Sequence, residues 1–161
     1  MTLNNLRIGV FLGLLMSFAI LVTNVIVPSV AGHPSSDSAV SESIGWIVVI
    51  AVVCWAGFLR LRHSNRIRDA IMAGAVISFV AFAIAMATFL IIDNLFLSIV
   101  ARQPEKIWLF EHSRFEDMRS YLNYTNLRAF WTALPLITVL GAVCGLVGGS
   151  LNLWAQRHKS G

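Results

Sequence analysis

The chain has 161 residues, room for one domain, and 57% of them are hydrophobic with a mean hydropathy of +0.76, which leaves too little polar surface to cover a water-soluble globule. Its net charge of +4 does not point to nucleic acid, because the basic residues stand at the ends of apolar runs rather than among base-stacking aromatics. The composition points to lipid as the solvent.

Four apolar stretches, Ile8–Val27, Ile44–Leu59, Ala70–Ile92 and Ala133–Trp154, predict transmembrane helices over 8–27, 44–61, 70–97 and 131–154, since about 20 helical residues cross the hydrocarbon. The expected fold class is all-α. It is a polytopic membrane protein with one membrane domain over 1–161, a four-transmembrane-helix bundle. Short interfacial or extracytoplasmic helices over 104–123 stand between the third and fourth spans.

Arg7, the apolar run behind it and the small residues Ser29, Ala31 and Gly32 resemble a signal peptide with its cleavage site. A cleavable signal has an apolar region of about 7 to 15 residues. This run is longer, so an uncleaved first helix is expected. Gly9, Gly13 and Ser17 recur every four residues on it and make a face for close helix approach. Thr23 and Asn24 stand towards its far end.

The loop from Pro28 to Ser43 holds His33 but no Lys or Arg, whereas the link after the second span carries Arg60, Arg62, Arg66 and Arg68 beside His63. Positively charged flanks stay in the cytoplasm. With Arg7, Arg157 and Lys159, this basic loop places both termini on the cytoplasmic side, of the cell membrane if the source is bacterial. Contact with anionic headgroups, at about 1 kcal/mol per charge, is a secondary reading of these arginines. Trp46 and Trp131 fall at predicted outer boundaries and Trp154 at the inner one. Cys54 and Cys144 read as packing residues, and their unequal predicted depths, about 9 and 15 Å, argue against a bridge.

The third span is rich in alanine and carries Gly74, Ser78, Ala81 and Ala85 at helical spacing. Near its end Asp93 and Asn94 interrupt apolar sequence. An intramembrane carboxylate is costly and often marks an ion or proton path. At this depth Asp93 is expected at the outer interface, paired with an arginine of the outer link or with water. Asn24, Asp93 and Asn94 form the candidate polar cluster.

In the outer link, Pro104 and Glu105 predict a helix reaching about His112, and Ser113 with Glu116 has capping-box spacing for a second helix towards Leu122. Phe115, Met118 and Leu122 would lay this helix along the membrane surface, leaving Asp117, Arg119 and Ser120 in water, or the segment would form a small extracytoplasmic cap over the bundle. His112 with Glu111, Glu116 and Asp117 is the nearest approach to an acid–base or metal set, and it reads more simply as a solvated charged face. Asn123, Tyr124 and Thr125 match the glycosylation triplet. In the fourth span, Pro135 is expected at helix entry. Gly141, Gly145 and Gly149 form a second small-residue stripe, with Gly148 beside it.

No nucleophile triad, metal-ligand spacing, phosphate loop or cofactor motif is present in the sequence, so no catalytic residue, metal or cofactor is expected. The favoured function is a non-enzymatic interaction, assembly or accessory subunit. Its partners would be the bilayer and a second copy or another membrane protein. A small transporter or channel using Asn24, Asp93 and Asn94 ranks second, and a membrane enzyme acting on lipid near His112 third.

Overall fold

The computed structural model describes residues 3–31, 38–64 and 66–158, and the regular elements among them are helical. In chain order they are α1 (Leu3–Leu21), a π-helical segment (Val22–Ile26), α2 (Val27–Ala31), α3 (Ser38–Ser64), α4 (Ile67–Leu95), α5 (Leu97–Val100), α6 (Pro104–Glu111) and α7 (Met118–Arg157). Among the described residues, three stretches are long and apolar enough to cross a membrane: Leu3–Val30, Ile67–Leu95 and Met118–Gln156. The second predicted span falls within α3. The Trp46 and Arg157 side chains, and Gly32, His33 and Lys159, lie outside the described residues.

The hub is α4, which packs against α1 on one side and against α3 and α7 on the other. Small side chains let the backbones meet, and in lipid such close van der Waals contact is the main source of helix association. Between α1 and α4 the register is parallel. A Cβ on Gly9 would stand 3.0 Å from Val80, one on Gly13 would stand 2.8 Å from Ile84, and Ser17 Oγ lies 2.6 Å from Thr88 Oγ1.

The seam of α4 with α7 is antiparallel and tighter. A Cβ on Gly74 would collide with the Gly141 carbonyl, one on Gly141 with Ser78, and one on Gly145 with the Ala70 carbonyl. On α3, a Cβ at Gly57 would come within 2.6 Å of the Gly145 carbonyl, and one on Gly148 would strike that of Cys54. Gly149 is looser, its nearest neighbour being Ala70 Cβ at 3.1 Å. These contacts bring the start of α1, the α3–α4 turn and the end of α7 to one end of the molecule.

Two buried apolar clusters fill the interior. Leu12, Val53, Ala56, Ile77 and Ala81 join α1, α3 and α4 at mid-height, and Val25, Ile92, Val100 and Leu122 close the opposite end.

The link between α5 and α7 departs from expectation at the helix that follows it. The second outer helix and the fourth span are one helix of 40 residues, Met118–Arg157, because no Gly or Pro precedes Pro135 to stop it. At the helical rise it is about 60 Å long, twice the hydrocarbon thickness. Pro135 therefore lies in the helix interior rather than at its entry. Met118 and Leu122 pack onto the cluster of Val25, Ile92 and Val100, so this segment covers the end of the bundle.

The N-cap is Asp117 rather than Ser113: Asp117 Oδ1 accepts a hydrogen bond from Ser120 N–H at 2.9 Å, while Ser113 Oγ accepts from Phe115 N–H at 3.3 Å in a local turn. A carboxylate suits the positive helix end better than a hydroxyl. The hydrogen bonds from Ser120 and Arg119 hold the Asp117 carboxyl below its ordinary range. A depressed folded pKa means stabilisation that is present above the unfolded value and lost as pH falls through the folded one. Asp117→Ala is expected to fray the first turn of α7 at neutral pH, with a wild-type–variant difference that shrinks on acidification. Amide exchange at residues 119–121 checks this; a pH-independent difference would contradict it.

Candidate functional site

The last turn of α4 delivers Asp93 and Asn94 to the end of the molecule opposite the arginine turn. Three residues apart on α7, Asn123 and Asn126 share a helix face and meet them. Asp93 is 2% exposed, and both its oxygens are engaged: Lys106 Nζ of α6 stands 3.3 Å from Oδ1, and Asn126 Nδ2 donates to Oδ2 at 2.6 Å. Beside it, Asn94 Nδ2 donates to Asn123 Oδ1 at 2.7 Å while Asn123 Nδ2 donates back to Asn94 Oδ1 at 3.3 Å. Asn94 also donates to the Leu90 carbonyl at 2.8 Å.

This set ties three elements together. Lys106 reaches inward from α6 with its ammonium on Asp93, the one ion pair among the described residues. A buried carboxylate without such a partner would be strongly disfavoured. The partner expected for Asp93 was an arginine of the link or water; it is Lys106, which the placement of α6 brings over the end of α4.

Asn24 is not brought into the cluster through its side chain. It lies in the π-helical segment, where the Val27 amide bonds the Val22 carbonyl five residues back. That wide turn leaves carbonyls of the preceding turn to side chains: Asn24 Nδ2 donates to Ile20 O at 3.0 Å and Thr23 Oγ1 to Ala19 O at 3.0 Å. Four residues beyond Asn24, Pro28 has no N–H for the Asn24 carbonyl. Gln103 Nε2 reaches that oxygen from the link between α5 and α6 at 3.5 Å. Asn24 thus touches the link through its backbone.

No sequence motif marks Lys106, Gln103, Asn123 and Asn126 as members of a site. The available signal was the Asn123–Asn126 spacing, polar on one helix face, which becomes legible only once this stretch is seen to belong to α7. The Asn123 amide, already paired with Asn94 and half-buried, is not presented as a glycosylation acceptor.

Around His112, Nδ1 lies 2.7 Å from the Trp108 carbonyl and the two rings are 4.3 Å apart. Glu111, Glu116 and Asp117 are exposed, and Asp117 serves α7 as its cap. Among the described residues no three His, Cys, Asp or Glu side chains are grouped to hold a metal ion. Cys54 and Cys144 are free thiols facing one another across the α3–α7 contact, closer than their unequal depths implied, because those helices touch backbone to backbone at the neighbouring glycines. Arg62, Arg66 and Arg68 are exposed at the opposite end of the molecule.

Compared with protein-family models, with curated proteins and with solved structures, the chain matches none.

Proposed function

We propose that the chain is a four-span membrane protein, α3 being the second span, whose work is interaction rather than catalysis: an assembly or accessory subunit that offers its outer segment to another membrane protein or a second copy of itself. The single observation that carries this reading is the Lys106–Asp93 clasp. It fixes α6 at the bundle end while Trp108, Leu109, Glu111 and His112 remain exposed. An aromatic and an aliphatic side chain within a charged rim, on a segment held in place, is the composition of a recognition surface. In this reading the arginine turn and both termini are cytoplasmic and α6 is on the outer side.

One variant tests both parts. With Cys54 and Cys144 replaced by Ala, Glu111→Cys is expected to react with an impermeant maleimide in intact cells. A photocrosslinking group on the same cysteine should give an adduct of one defined mass. A cysteine reached only after permeabilisation would overturn the orientation, and a protein that stays a lone monomer after illumination would overturn the interaction role.

A further inference from the structure

We propose that Cys54 and Cys144 are a redox-active pair, oxidised by a lipid-soluble quinone to a disulfide that locks α3 to α7. The proposal rests on the reading of α3 as a membrane span. Both thiols are free, and they interact directly across the contact of the two helices.

The glycine seam explains why they meet. α3 and α7 run parallel: the Cys54 carbonyl lies against Gly148, and the Phe58 carbonyl, one turn on, accepts from Asn152 Nδ2 at 2.7 Å. A Cβ on Gly57 would stand 2.8 Å from Gly145 Cα, so these two Cα atoms are no more than about 4.3 Å apart at ordinary bond length. A disulfide spans Cα separations of about 4.4 to 6.8 Å, so at this seam the backbones already stand as close as closure requires. Cys144 precedes Gly145 and shares a helix face with Gly148. Because side chains lean towards the helix start, Cys54, at the level of Gly148, is carried towards Cys144.

The surroundings select the oxidant. Cys54 lies about 9 Å inside Arg60 at the helical rise, in the apolar part of α3. An anionic thiolate is disfavoured there, and thiolates are what water-soluble disulfides exchange with. The oxidant must therefore arrive through lipid and take up protons with the electrons. A quinone does both: the two S–H bonds break, the S–S bond forms, and two electrons and two protons pass to the quinone oxygens to give the quinol. No charge is left in the hydrocarbon. Access is from the lipid side, since both cysteines are only partly buried and their chain neighbours Trp55 and Val143 are exposed. Trp55 stacks on Phe58 with ring centroids 5.7 Å apart, which sets an aromatic surface beside Cys54 at the depth of the pair.

The test exposes the full chain in phosphatidylcholine vesicles to decylubiquinone or to oxidised glutathione. Decylubiquinone is expected to remove both free thiols, lower the intact mass by two hydrogens and yield a reducible peptide pair carrying Cys54 and Cys144. The oxidised protein should melt roughly 5 to 10 °C higher than the reduced one. Oxidised glutathione is expected to leave both thiols free, and Cys54→Ser and Cys144→Ser should each keep the remaining thiol under either reagent. Failure of the quinone to form the disulfide, or thiol loss from either single variant, would overturn the proposal and leave the span reading standing. Closure by glutathione as well would show that water reaches the pair, and would overturn the proposal together with the reading of α3 as a span.

Discussion

Gly145→Ala is expected to destabilise the protein by about 3 kcal/mol, at the upper end of ordinary overpacking, whereas Gly149→Ala, four residues along the same stripe, should stay within about 0.5 kcal/mol. The difference lies in what each methyl group meets. At Gly145 it would run into the Ala70 carbonyl and press on the Gly74 backbone, and helix backbones cannot step aside singly. At Gly149 the nearest atom is a side-chain methyl carbon 3.1 Å away and the next lies at 3.8 Å. A few tenths of an ångström of give suffice there. Because Gly145 also receives Gly57 of α3, its substitution would loosen α3 and α4 from α7 together. Reversible unfolding in mixed micelles, followed by tryptophan fluorescence, measures both variants. Equal losses at the two positions would show that the stripe acts through composition rather than through this seam.

How much of this was legible in the sequence follows from the range of the forces involved. Apolar run length and glycine spacing are local, so the helical class, the membrane-length stretches and the residues of the two stripes can be read directly. Helix ends are set by competition between neighbours. Ser113 has capping-box spacing, but Asp117 has a charge as well as an acceptor, and α7 begins after Asp117. Once started there it has no breaker before Pro135, and a proline inside a continuous helix looks, from its local sequence alone, like a beginning. The polar site depends on contacts 13, 29 and 33 residues apart in the chain, those of Asp93 with Lys106, Asn94 with Asn123 and Asp93 with Asn126. Nothing in the local sequence announces such pairs. The π-helical turn is a further case: Pro28 hints at disturbance in the first helix, but not that Gln103, just before α6, would attend to the Asn24 carbonyl.

Asp93→Leu is expected to cost about 3 kcal/mol, because removing one member of a buried pair leaves the other members without their acceptor. Asn126 loses its partner outright, while Lys106, 22% exposed, can turn its ammonium to water and lessen the loss. Asp93→Asn should cost less, since an amide oxygen still accepts from Asn126. Replacing the whole set, Asp93→Leu with Lys106→Met and Asn126→Leu, is expected to restore most of the stability, as apolar groups of similar volume often match a buried ion pair. That triple variant separates two roles. If the clasp acts by holding α6 in position, the adduct formed at Glu111→Cys survives in the triple variant and disappears in Asp93→Leu alone. If it disappears in both while stability returns, the charges themselves are recognised, and a path for ions or small solutes past Asp93 becomes the stronger account. Unfolding free energy and adduct yield, measured on the same three proteins, decide between them.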